Sequence, residues 1–198
     1  MKKTIKFFAI IFAILVGFTA NAQEKTTENK TTYSVEIDPM TYAFKGYAVH
    51  VRIKPKNSKR LLLGAGTYAM TYPDFLVNME SANKDKGWNV RITSAYSFFS
   101  EYYFKEANNK WFVGLQGGVQ NIKIKNDNVE GQSEKYSNML IMPSIGYNWR
   151  PFDNGFYVKP WLGLGYTSKV SGTNSIGTYK YKINPMVNFL TFHVGYTF

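Results

Sequence analysis

Residues 190–198 read Leu-Thr-Phe-His-Val-Gly-Tyr-Thr-Phe, with Leu190, Phe192, Val194, Tyr196 and Phe198 separated each time by one smaller or polar residue. A period of two places those five large apolar side chains on one face of a β-strand. No α-helix uses that spacing, whose apolar stripe recurs at three and four. A strand with one wholly apolar face must cover it with a protein core or with hydrocarbon. This single segment therefore narrows the chain to a sheet protein whose outer or inner surface is greasy from end to end.

The opposite end carries a different pattern. Lys2, Lys3 and Lys6 precede an apolar run from Phe7 to Phe18, and Ala20-Asn21-Ala22 stands before Gln23 as a small-x-small junction. Charge, length and junction read as a secretory signal peptide over 1–22, cleaved between Ala22 and Gln23. The apolar run falls short of the roughly 20 residues a membrane helix needs. Residues 23–30 are polar and aperiodic, a disordered lead-in by composition.

The 198-residue chain holds no cysteine and a net charge of +11. An exported chain without cysteine has no disulfide staple and no thiolate chemistry. The export pattern argues against a nucleic-acid partner, so the basic balance is assigned to solvated surface and anionic lipid headgroups. Beyond residue 22 no apolar run is long enough for a membrane helix. Any insertion in lipid then requires a closed barrel, because hydrocarbon satisfies no backbone hydrogen bond.

Alternation recurs along 31–198. Expected strands cover 31–38, 47–54, 60–70, 88–104, 110–124, 136–150, 156–168 and 179–198, the last with a phase shift at Pro185. In the segment 88–104, Trp88, Val90, Ile92, Tyr96, Phe98, Tyr102 and Phe104 are assigned to one face throughout. Short turns at 55–59, 105–109 and 150–155 share one end. Longer loops at 71–87, 125–135 and 169–178 share the other. Eight strands close antiparallel without a free edge.

Charge decides which face meets what. Glu36, His50, Arg52, Arg91, Glu101, Lys159 and His193 all fall in the phase opposite the bulky apolar residues. Placing that set against lipid would cost about 2–4 kcal/mol for each Arg or Lys near the midplane. Packing all the Trp, Tyr and Phe inside a water-soluble, lipocalin-like barrel would overfill an eight-stranded interior. The reading is thus an all-β, eight-stranded antiparallel up-and-down transmembrane β-barrel, with the apolar face in lipid and a lumen polar cluster of those seven residues. Aromatics at the strand ends suit two interfacial belts.

The Ala-Asn-Ala-Gln junction, the Asn154-Gly155 turn and the final Tyr196-Thr197-Phe198 resemble the small outer-membrane β-barrel families of Gram-negative bacteria. The size class is that of OmpX and the OmpA barrel, or the Bacteroidetes-type outer-membrane β-barrel domain. The resemblance implies an outer-membrane location. It implies contact with lipid and lipopolysaccharide, and recognition by the barrel-assembly machinery through Phe192, Val194, Tyr196 and Phe198. It specifies no activity.

Two histidines leave few catalytic options. A metal pair or a hydrolase built on His193 and His50 is conceivable, but His193 is followed by Val194 and Gly195 where comparable lipases place a serine. Lumen hydrogen bonding is the plainer role. The inward Arg52, Arg91, Lys159, Glu36 and Glu101 read as a salt-bridged plug rather than a conduit. Loop 71–87 holds Phe75, Leu76, Val77 and Met79, an apolar run that either meets a hydrophobic partner or folds over the barrel mouth. No cofactor, catalytic residue or metal ligand is assigned. The reading is a monomeric, non-enzymatic envelope barrel acting through its loops. A narrow transporter for a small hydrophobic molecule is the first alternative, and a lipid-modifying hydrolase the second.

Overall fold

The computed structural model describes residues 30–198, so the signal-peptide segment and its Ala20, Ala22 and Gln23 junction lie outside the described residues, as does the lead-in apart from Lys30. Eight strands close into one antiparallel barrel: β1 (Thr32–Ile37), β2 (Tyr47–Lys54), β3 (Leu61–Thr71), β4 (Trp88–Tyr103), β5 (Lys110–Asn126), β6 (Glu134–Asn148), β7 (Phe156–Gly172) and β10 (Met186–Thr197). Each is joined to its sequence neighbour, and β10 closes on β1 with Val35 opposite Tyr196. Two short helices, α1 (Pro39–Ala43) and α2 (Asp74–Asn78), and a two-stranded ribbon of β8 (Ser175–Ile176) and β9 (Tyr179–Lys180), all lie in the longer connections.

The longer connections gather at one end and the short turns at the other. In the short turns, Asn57 and Asn108 take positive φ values of 68° and 61°. Asparagine tolerates that region because its side chain bonds locally to the backbone.

The alternation reads through to burial in most strands. In β5, Phe112 and Gln120 are buried while Trp111, Val113 and Val119 are exposed; in β7, Tyr157 and Lys159 are buried while Leu162, Leu164 and Tyr166 are exposed. In β10, His193 and Gly195 face in. Leu190, Tyr196 and Phe198 are exposed, and Phe192 and Val194 are half-buried on the same side.

Two strand assignments are corrected. The register of β4 against β5 slips between Ile92 and Ser94, which inserts Thr93 as a bulge. A bulge carries an extra residue and so reverses the faces beyond it. Trp88, Val90 and Ile92 are consequently buried in the lumen, while Tyr96 and Phe98 point outward as expected. Arg91 is carried outward with this segment, donating to the Lys45 carbonyl at 2.9 Å and the Thr71 hydroxyl at 2.8 Å. It does not belong to the lumen cluster. The last barrel strand also starts at Met186 rather than 179, because residues 179–180 pair with 175–176 in the separate ribbon.

Candidate functional site

The lumen is layered. At the short-turn end Leu62, Tyr103 and Phe112 form a small buried cluster. Above it lies a compact charge network. The Glu36 carboxylate, from β1, meets Arg52 Nε of β2 at 2.6 Å and Lys159 Nζ of β7 at 2.6 Å. It also accepts from the Tyr157 hydroxyl at 2.7 Å. Glu101 of β4 receives Arg52 Nη1, Lys159 Nζ at 3.0 and 3.3 Å, and the Tyr103 hydroxyl at 3.0 Å. All four ionised side chains are buried, two anionic and two cationic, so the charges cancel.

Small residues make room for this. A Cβ on Gly195 would come within 2.8 Å of Glu36 Cγ, and one on Gly66 would run into the His50 ring. Two rings support the cations from the side. The Arg52 guanidinium lies 4.1 Å from the Phe99 ring centre, and Lys159 Nζ lies 5.4 Å from that of Phe112. Such contacts favour a desolvated cation.

His193 has both nitrogens engaged. The Trp161 indole N–H donates to His193 Nε2 at 3.1 Å, so Nε2 carries the lone pair and Nδ1 carries the hydrogen. That hydrogen points to Glu36 Oε2 at 2.9 Å. His50 stacks on His193 with ring centres 4.7 Å apart, and its Nδ1 is buried without a protein partner.

Glu36, His50 and His193 have potential ligand atoms within 4.8 Å of one another. The donor set nevertheless fits a metal poorly. Glu36 is held by Arg52, Lys159, Tyr157 and His193, and the His193 lone pair already accepts from Trp161. A dication there would displace several hydrogen bonds and sit beside two fixed cations.

At the long-loop end a buried apolar cluster caps the lumen. It joins Tyr68, Met70, Trp88, Val90, Ile92, Ile122, Ile124 and Tyr136 of the wall to Val77 of α2, and to Ile176 and Tyr181 of the ribbon region. Burial pushes the Tyr181 phenol up to about 12, so it enters the cap as a neutral ring. Asn83 ties the two capping loops together, donating to the Lys182 carbonyl at 2.8 Å and accepting from its N–H at 2.8 Å. The apolar run of loop 71–87 thus divides. Val77 is buried in the cap and Leu76 packs against it, whereas Phe75 and Met79 are exposed.

Between network and cap a cavity of about 440 Å³ remains. The plug read from the sequence therefore fills only part of the lumen. Phe99, Gln116, Gln120, Asn138, Met142 and Trp161 are among its walls, and the network side chains Arg52 and Glu101 line its floor.

Of the seven residues assigned to the lumen cluster, six converge here and Arg91 does not. The hydroxyls of Tyr103 and Tyr157, the Trp161 indole and Asn83 were missed. Large inward rings look like filler in a sequence, and nothing in the loop pattern marks Asn83.

No protein-family model matches the chain, and no curated protein matches it either. Among solved structures the chain is similar to the N-terminal β-barrel domain of Pseudomonas aeruginosa OprF. That likeness has 12% identity and a TM-score of 0.42, over 86% of this chain and 98% of that one.

Proposed function

We propose that this protein is a monomeric, non-enzymatic barrel of the bacterial outer membrane, embedded in lipid and acting through the loops at its long-loop end. The observation that carries the reading is the separation of surfaces. Val51, Phe98, Trp111, Ile145, Leu164 and Leu190 all stand exposed on the outside of the barrel, while Glu36, Arg52, Glu101 and Lys159 are sealed within it. An exterior of that kind spread around a whole barrel is far larger than the apolar patches a soluble monomer tolerates. It suits hydrocarbon. The lysine-then-apolar leader pattern of residues 2–18 points to export and agrees with this placement. Lipid and lipopolysaccharide are then the surrounding partners, and the alternating β10 is the segment offered to the assembly machinery.

A blocked lumen supports a structural or surface-interaction role over a pore. The cross-linked network spans β1, β2, β4, β7 and β10, and the apolar cap closes the other end. A hydrolase reading needs an imidazole free to take a proton from a nucleophile. The His193 lone pair is already taken by Trp161, and His50 Nδ1 has no hydroxyl partner to activate. Planar-bilayer recording on purified protein tests the reading: insertion without steady conductance is expected, and a stable open channel would overturn it.

A further inference from the structure

The wall of the cavity is not a complete ring of strands. β1 ends at Ile37, opposite Val194 of β10 and Val49 of β2. β10 continues from Val194 back to Met186 with β7 alone as its strand neighbour. The vacant edge is bridged by Asp38 and α1. The Thr191 hydroxyl donates to the Asp38 carboxylate, at 2.9 and 3.0 Å to its two oxygens, and Asp38 caps α1 by accepting from the Met40 N–H at 2.9 Å.

The cavity reaches through this interruption. Residues Met186, Val187, Asn188, Phe189, Leu190 and Thr191 all line it in unbroken succession. In a fully paired wall only alternate residues of a strand face the lumen. The exposed Met186, Asn188 and Leu190 are among these lining residues, on the stretch of β10 that has β7 as its one strand partner, and they place the void at that free edge. Leu190, 81% exposed on the outer surface, borders the same void. Met40 and Met186, at the interruption, and Phe75 and Met79 of the 71–87 loop line the same cavity with exposed apolar side chains. The charged residues that line the cavity, Asp38, Arg52 and Glu101, are all buried.

We propose that this interruption is a side entrance from the bilayer, admitting one single-chain amphiphile with an uncharged, hydrogen-bond-donating head. The head enters first and the chain trails through the apolar mouth. The inference rests on the barrel lying in lipid. Three observations set the chemistry. The cavity falls within the roughly 300–1,000 Å³ of small-molecule sites and holds the equivalent of about fifteen waters at ~30 Å³ each, which is room for one chain and a small head. The floor is already charge-balanced and the Asp38 carboxylate is already bonded by the Thr191 hydroxyl and the Met40 N–H, so an anionic head would be buried without a counter-ion and a cationic one would have to displace those bonds. Asn138 Oδ1 and His50 Nδ1, both on buried cavity-lining side chains, have no protein partner. The Asn138 oxygen accepts only, so its missing partner is a donor such as a hydroxyl or amide.

Hydrocarbon surrounds the chain both before and after entry, so hydrophobic transfer supplies no drive. Filling the void and partnering the orphaned polar atoms do. Head chemistry therefore governs affinity and chain length matters little.

The probe is a monoacylglycerol with bromine on its chain, offered to protein in phospholipid nanodiscs. Trp161 is made the sole reporter by W88F, W111F and W149F. Saturable Trp161 quenching is expected, lost in Gln116→Phe, which fills the void, and slowed when Met40→Lys and Met186→Lys charge the mouth. An equally long brominated alkyl sulfate should bind at least tenfold more weakly. Quenching that rises linearly with probe content, identical in Gln116→Phe, would overturn the side entrance, and equal binding of the sulfate would overturn the head assignment. Native mass spectrometry of the unsubstituted protein provides a second readout. One monoacylglycerol adduct, absent in Gln116→Phe, is expected, and no adduct refutes the proposal. Protein that stays dispersed without detergent would defeat the membrane reading. Protein that inserts yet takes up no probe defeats the entrance alone.

Discussion

Lys159→Met leaves Glu36 and Glu101 sharing one cation, Arg52, in a buried site. In the native network Lys159 Nζ lies 2.6 Å from Glu36 and 3.0 Å from Glu101, with its side chain wholly buried. Removing one member of a buried ion pair costs about 3–5 kcal/mol, chiefly because the remaining charge stays desolvated. Glu101→Gln alone strands a cation in the same way and is expected to cost a similar amount. Combining the two restores neutrality, with Glu36 still paired to Arg52. If charge balance is what holds the network, the double variant loses less than either single, and far less than the roughly 6–10 kcal/mol obtained by adding the singles. Urea unfolding of the four proteins in one detergent, followed by tryptophan fluorescence, measures the cycle. Additive losses would refute the reasoning, since they would mean that each side chain acts through its own packing and not through a shared charge.

Three further outcomes follow from the geometry. Arg91→Ala, outside the lumen and half-exposed, should cost under about 1 kcal/mol in the same unfolding assay, and a loss as large as that of Arg52→Ala would contradict its outward position. Leu162→Arg places a charge at mid-strand on the outer face and should cost about 2–4 kcal/mol in lipid vesicles, whereas a change within 0.5 kcal/mol would argue for water outside. Asn83→Ala strands the Lys182 N–H and carbonyl, a local loss of about 1–3 kcal/mol. Amide exchange in residues 173–185 should quicken while the barrel strands stay protected, and unchanged exchange would show that Asn83 does not hold the cap.

The strands were legible because alternation is a local property: Tyr47–Lys54 can be read off as β2 with no knowledge of its partners. The β4 error shows where that legibility stops. Trp88, Val90, Ile92, Tyr96 and Phe98 keep one phase in the sequence, and only the pairing of Ile92 with Ile122 and Ser94 with Asn121 reveals the bulge that turns the first three inward. The final segment fails for a related reason. Residues 179–180 have suitable strand chemistry, but their partner is the neighbouring 175–176 and not the barrel wall.

The sequence by itself determined the closed, alternating sheet and, except for Arg91 beyond the β4 bulge, which residues carry charge on its inner phase, because side chains of a pleated strand must point to opposite sides. Tertiary structure alone decided the rest. It set how Glu36, Arg52, Glu101 and Lys159 pair, what Trp161 does to His193, and where the ring of strands is broken between Ile37 and Met186. Those depend on distances across the lumen between residues far apart in the chain, and on where one strand runs out of partner, neither of which any local pattern encodes.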